Sequence, residues 1–230
     1  MYRKGEVAYQ ALDLPDRVQL GADESVAAAE AFLAYMRRRH SVRQYSDQPV
    51  PEAVIAACIA AAGSAPSGAN HQPWHFAAVS NPGMKARIRT AAEDEEKAFY
   101  AGGASDEWLA ALEPIGTGVD KPHLTDAPWL IVIFAQRWGL TDDGTRYKNY
   151  YVPESVGIAT GMLITAIHHA GLVCLEHTPN PMAFLNDMLG RPAQEKPVMI
   201  LPVGYPAVDA TVPAVAKRKK PFEQIASFFR

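Results

Sequence analysis

Hydrophobic and polar positions along the 230-residue chain fall into helical and strand-like runs that alternate with few interruptions. In residues 22–39, ADESVAAAEAFLAYMRRR, the positions Val26, Ala29, Leu33 and Met36 recur at helical spacing. Acids open that run and arginines close it, the order a helix macrodipole favours. A second helix is predicted over 50–66, opened by Pro51 and stopped by GSAPSG. HFAAVS (75–80) predicts a strand and NPG (81–83) a turn; a helix over about 84–100 follows, then a polar stretch to about 125. APWLIVIFAQ (127–136) is continuously apolar, as in a strand buried on both faces. ESVGIATGMLITAIHHAG (154–171) is small or apolar nearly all round, which fits a core or interface helix. LVCLEH (172–177) predicts a strand, PMAFLNDMLG (181–190) a helix ending at Gly190, and PVMILPVG (197–204) the last strong strand.

This pattern is an α+β sandwich built on one central sheet, with the order of its strands open. Residues 1–22 form an irregular arm, 23–204 a single domain, and the tail 205–230 holds too little apolar sequence for a core of its own. Such a tail is expected to lie along a partner subunit. Composition adds limits: the chain is 48% hydrophobic and 20% charged, which is globular. A net charge of −3 argues against bulk nucleic-acid or anionic-membrane binding and leaves any anion site local. The longest apolar run, 127–135, is far short of the ~20 residues that span a bilayer. The N-terminus lacks the apolar stretch of a signal peptide. With Cys58 and Cys174 in apolar contexts, a reducing cytoplasm is the expected setting. His71 and His75 lack partners at metal spacing, so no metal is expected. No GxGxxG follows the first strand, so a Rossmann dinucleotide site is not indicated.

Three stretches carry candidate chemistry. RRRHSVRQYS (37–46) reads either as a cationic helix end or as a phosphate site, because Arg39 and Arg43 flank Ser41 and guanidinium forks with a hydroxyl suit that anion. APSGANHQPWHF (65–76) reads either as a plain loop or as backbone and Ser67 contacts to a flat polar ligand. AAEDEEKAFYAGG (91–103) is mostly a solvated acidic helix face, in which Glu93 can pair with Lys97 for only ~0.3 kcal/mol. Glu96 and Tyr100, four apart, share one helical face and can converge on one small object. Gly102 and Gly103 then end the helix flexibly.

RRRHSVRQYS and APSGANHQPWHF together resemble the nitroreductase superfamily of FMN enzymes. EDEEKAFY, DAPWLIVIF, NYYVPESVGIATG, AGLVCLEHTP, LGRPAQEK, LPVGYP and ATVPAVAKRKKP narrow the resemblance to the iodotyrosine deiodinase subfamily, from about Arg37 to the end. The resemblance implies a mostly antiparallel sheet flanked by helices and a homodimer with exchanged arms holding FMN at its interface. It places Arg39, His40, Ser41 and Arg43 on the phosphate and ribityl chain. Pro66, Ser67 and Gly68 would lie along the flavin, and the Ala69 amide would meet the substrate phenolate. The Thr178 hydroxyl would reach flavin N5, and Glu176 and His177 would sit beside the cofactor where the family carries threonines. Arg218, or else Lys219 or Lys220, would be a late phosphate ligand.

On the substrate side, the resemblance assigns Glu96, Tyr100 and Lys121 to the amino-acid end of a halotyrosine. The chemistry suits a zwitterion: Glu96 for its ammonium, Lys121 and Tyr100 for its carboxylate. The activity implied is FMN-dependent reductive dehalogenation of mono- and diiodotyrosine, with bromo- and chlorotyrosine included, through single-electron steps. NAD(P)H, directly or through a reductase, would supply electrons, and residues 91–121 would close as a lid. The alternative is a broad nitroreductase or quinone reductase working by two-electron hydride transfer.

Overall fold

The computed structural model describes residues 7–230; the first six residues of the expected amino-terminal arm lie outside the described residues. Residues 7–21 carry no helix or strand and are exposed. The chain then runs through α1 (Ala22–Met36), α2 (Glu52–Gly63), β1 (Trp74–Val79), α3 (Pro82–Ala98), α4 (Asp106–Leu112), α5 (His123–Asp126) and β2 (Trp129–Gln136). It continues through β3 (Trp138–Leu140), β4 (Arg146–Lys148), α6 (Val152–His169), β5 (Val173–Cys174), α7 (Phe184–Met188) and β6 (Glu195–Gly204).

The central sheet has the order β1-β2-β6-β5 with every pair antiparallel. β2 is its buried middle and explains the continuous apolar run. Ile131, Ile133 and Ala135 pack toward Ile55 and Cys58 of α2 and Leu163 and Ile167 of α6. Leu130, Val132 and Phe134 pack the other way, toward Ile88 and Ala92 of α3, Leu124 of α5 and Leu185 of α7. Side chains alternate across a strand, so a strand buried on both faces must be apolar at every position. Each fully buried aliphatic side chain contributes about 1.5–3 kcal/mol. The architecture is therefore the helix-flanked antiparallel sandwich that the resemblance implies.

Several expectations are corrected. The strand over 172–177 is only two residues long; beyond Cys174 it touches β6 through the Leu175 amide donating to the Pro202 carbonyl at 3.4 Å and a bridge between His177 and Ile200. The polar stretch after residue 104 holds two short helices, α4 started by the Ser105 hydroxyl accepting from the Trp108 amide. The hairpin of β3 and β4 was not anticipated, since each strand has only three residues. Helix α1 stops at Met36, leaving the arginine run outside it.

That run feeds an extended strap along the sheet edge. Ser41 bridges Cys174 in parallel and Tyr45 bridges Pro206 antiparallel. The Tyr45 hydroxyl, buried between the carbonyls of Val42 (3.0 Å) and Pro202 (2.9 Å), pins the strap to the end of β6. Burial pushes that phenol well above its usual range, with Cys174 and Glu176 adding to it. The strap thus carries Arg39, Ser41 and Arg43 past the strand end that bears Glu176, His177 and Thr178. No helix among the described residues is long and apolar enough to cross a membrane.

Candidate active site

A cleft of about 470 Å³ opens between α3, the segment that returns to α5, and the chain after β5. Helix α3 starts where Asn81 accepts the Met84 amide at 2.9 Å and Pro82 takes the first turn. It passes into a wider turn, Phe99–Gly103, with Gly102 at φ 131, a conformation side chains rarely adopt. Glu96 and Tyr100 therefore sit one turn apart on the cleft wall. Phe99, stacked edge-on against Trp108 at 5.0 Å, adds an aromatic rim.

The chain comes back so that Lys121 faces Glu96. Their Nζ and Oε2 atoms are 3.1 Å apart, with side chains only 4% and 15% exposed. Lys121 Nζ also donates to the Gly118 carbonyl and to Thr117 Oγ1 at 3.3 Å. The Tyr100 hydroxyl donates to the Thr117 carbonyl at 3.3 Å. Burial, and then Glu96, raises the Tyr100 phenol, so it remains a proton donor.

Glu93 corrects the view of the acidic run as plain solvated face. Its partner is not Lys97, which bonds Asp94 at 2.8 Å, but Arg89 at 2.7 Å. Its Oε1 also accepts the Lys121 amide at 2.8 Å. Burial pushes the Glu93 carboxyl up, but the Lys121 amide and Arg89 outweigh it and hold it below the usual range. Glu93 therefore splints the Lys121 backbone to α3.

The floor holds His123, His177, Thr178 and Arg43. His123 and His177 meet edge-on at 5.2 Å, both buried, and the Nε2 atom of each has no hydrogen-bond partner. Burial, reinforced by neighbouring positive charge, lowers both imidazoles to about 3, so both are neutral near pH 7. His123 escaped sequence reasoning; a lone histidine after Lys121–Pro122 carries no signal until the fold sets it against His177. Thr178 is exposed, with no hydrogen-bond partner among the described residues.

On the strap, Ser41 Oγ donates to Glu176 Oε2 at 2.5 Å, and Arg39 Nη1 lies 3.6 Å from Glu176 Oε1. Arg39 Nη1 is buried without a hydrogen-bond acceptor. A guanidinium with a spare buried donor, a serine hydroxyl and Arg43 nearby form a donor set that fits a phosphate. Arg39 and His40 also line a neighbouring cavity with Arg38, and there the tail contributes Lys217. Arg218, Lys219 and Lys220 are, like Lys217, exposed on the tail, and they do not line that cavity.

Pro66, Ser67, Gly68 and Ala69 are not among the residues lining the cleft. Their loop packs at the start of α6, where Gly68 N donates to Ser155 Oγ at 3.3 Å and Ser67 Oγ accepts the Gln72 amide at 2.9 Å. A Cβ on Gly68 would stand 2.9 Å from Tyr151 Cδ2 and 3.0 Å from the Tyr150 carbonyl. Ala69, Asn70, Gln72 and Tyr151 all hold φ near +50°, a concentration of backbone strain in one place. The single chain thus splits the expected flavin ligands into two separate groups. Among the described residues no cluster of three or more His, Cys, Asp or Glu could hold a metal ion.

Residues 36–205 match a family model described as the nitroreductase family. The chain is 48% identical over 202 residues to an iodotyrosine deiodinase of Haliscomenobacter hydrossis, covering 88% of this chain and 91% of the relative. It is 42% identical over 203 residues to iodotyrosine deiodinase 1 of Homo sapiens, covering 88% of this chain and 70% of the relative. Among solved structures, oxidized iodotyrosine deiodinase bound to FMN and 3-iodo-L-tyrosine superposes with a TM-score of 0.72 at 27% identity, over 86% of this chain and 98% of that one. A BluB-like flavoprotein from Clostridium difficile shares the fold, with a TM-score of 0.66 at 20% identity over 86% of this chain and 99% of that one.

Proposed function

The chain belongs to the nitroreductase family and, within it, to the iodotyrosine deiodinases, and from that membership we propose that it removes iodine from mono- and diiodotyrosine. It is an FMN-dependent oxidoreductase. Reduced FMN supplies two electrons, in single steps, as the C–I bond gives way to C–H with uptake of a proton and release of iodide. The same chemistry extends to bromo- and chlorotyrosine.

The observation that carries this reading is the Glu96–Lys121 pair, 3.1 Å apart on the wall of the cleft that also holds Tyr100 and Thr178. An amino-acid zwitterion inserts between them: its ammonium goes to Glu96, its carboxylate to Lys121 and to the Tyr100 hydroxyl. Each charged side chain exchanges one opposite charge for another, so neither is left buried and alone. Phe99 and Trp108 cover the aromatic ring, and the segment 91–121 closes over it about Gly102, excluding water. The Thr178 hydroxyl, free of other partners, is the donor for flavin N5. Arg39, Ser41 and Arg43 hold the phosphate and ribityl chain.

Two features support a homodimer as the working form. The loop of Pro66, Ser67, Gly68 and Ala69 does not line the cleft of its own chain, which suits its lying along the flavin held by a partner, with the Ala69 amide on the phenolate. Apolar side chains also stand exposed on α1 (Val26, Phe32, Leu33), on α6 (Ile158) and on the tail (Phe228, Phe229). Patches of that kind mark subunit interfaces. The arms 7–21 and 205–230 flank the 23–204 domain and cover such faces on the partner.

Comparing 3-iodotyrosine with N-acetyl-3-iodotyrosine and 2-iodophenol in binding titrations of the FMN-loaded protein tests the zwitterion site. The free amino acid should bind at least about 100-fold more tightly than either analogue, as expected for losing a buried charge partner. Equal affinity for all three would leave the broader nitroreductase reading in possession of the cleft.

A further inference from the structure

We propose that Glu176 is an internal anion that competes with the phosphate of FMN for Ser41 and Arg39. The inference rests on the reading of those two residues as phosphate ligands and concerns a residue that reading leaves without a clear task. Beside a phosphate a carboxylate is the wrong charge, and like charges sharing one set of donors disfavour each other.

The contacts are specific. The two carboxylate oxygens of Glu176 are divided between the strap residues, Oε2 accepting from Ser41 Oγ at 2.5 Å and Oε1 facing Arg39 Nη1 at 3.6 Å. The strap and β5 are locked together by the Val42 amide donating to the Cys174 carbonyl at 3.1 Å, so this meeting is fixed by the backbone. The ion pair is incomplete, since Arg39 Nη1 remains buried with no hydrogen-bond acceptor and keeps a donor for a second anion. Glu176 itself has somewhere to go: its side chain is 29% exposed, and it lines the cleft together with Arg43. Arrival of a phosphate turns the carboxylate from Ser41 toward Arg43. The cofactor-free chain is thus kept intact by a substitute anion, and the cofactor binds more weakly than its donor set would otherwise allow.

The test uses the cofactor-free full chain, titrated with FMN and with riboflavin, which lacks the phosphate, by quenching of flavin fluorescence. Glu176→Gln should bind FMN about tenfold more tightly than wild type and riboflavin within about twofold. Without flavin the same variant should melt below wild type, having lost the partner of Arg39, yet show the larger rise in Tm on adding FMN. Glu176→Thr, which keeps an acceptor for Ser41, should repeat the FMN result and guards against a folding defect of the first variant. Unchanged or weaker FMN binding in both variants, or equal tightening of FMN and riboflavin, would overturn the inference. Arg39→Ala and Ser41→Ala separate the two levels. If they bind FMN as wild type does, the phosphate assignment falls and takes the inference with it. If they weaken FMN alone while Glu176→Gln fails to tighten it, only the inference falls.

Discussion

Glu96 and Lys121, 25 residues apart in sequence, form an ion pair of 3.1 Å whose two side chains are almost withdrawn from solvent. Breaking one side leaves the other charge buried and uncompensated. Glu96→Gln and Lys121→Ala should each weaken 3-iodotyrosine binding by about 2–5 kcal/mol while FMN stays bound. Isothermal titration of the flavin-loaded variants measures both; retained micromolar binding in both variants would sink the clamp.

Glu93 holds Lys121 by its backbone rather than its charge, through the amide at 2.8 Å. Glu93→Ala should lower stability by about 1–3 kcal/mol, the cost of an unmet buried donor. It should also raise KM for iodotyrosine more than it lowers kcat, because it loosens binding without touching the reacting ring. The sign with pH follows from its depressed carboxyl. The stability it contributes is present above the ordinary value of 4.5 and is lost as pH falls below it. Denaturant midpoints of wild type and Glu93→Gln should therefore converge in acid.

His123 and His177 respond to acid over a higher window. Both are lowered from 6.5 to about 3, so below pH 6.5 the unfolded chain takes up protons that the folded chain refuses. Stability is fully present above pH 6.5 and drains away as pH falls toward 3. Urea midpoints should fall across that window in wild type and fall less steeply in His177→Phe. Identical slopes would mean that the buried pair does not govern acid unfolding.

Much of this was legible in the sequence, for identifiable reasons. β2 announced itself because a strand buried on both faces must be apolar at every position. Glu96 and Tyr100 could be paired because helical spacing alone puts them on one face. Lys121 could not be joined to them by spacing, since the connection passes through α4, a 3-10 turn over Glu113–Ile115 and a left-handed Gly116; only the motif resemblance supplied it. The pairing of His123 with His177, the seat of Glu93 on the Lys121 amide and the grip of Glu176 on Ser41 are contacts between residues far apart in the chain. Nothing local encodes them. In the tail, KRKK has four basic residues in a row, and only the fold shows that Lys217 is the one lining Arg39's cavity.

Both cysteines should be inert in the native chain. Cys174 and Cys58 are buried, and burial pushes the first thiol up to about 12 and raises the second. The thiolate is the reactive form, so a disulfide reagent at pH 8 should label neither until denaturant is added. Rapid labelling of the native protein would show that the edge of the sheet at β5 opens readily.

The central claim is the reaction itself. FMN-loaded protein, reduced anaerobically with dithionite and mixed with 3-iodotyrosine, should release iodide and tyrosine in equal amounts. Release should be lost in Lys121→Ala. Absence of iodide from wild-type protein that turns over nitroaromatics under the same conditions would contradict the account.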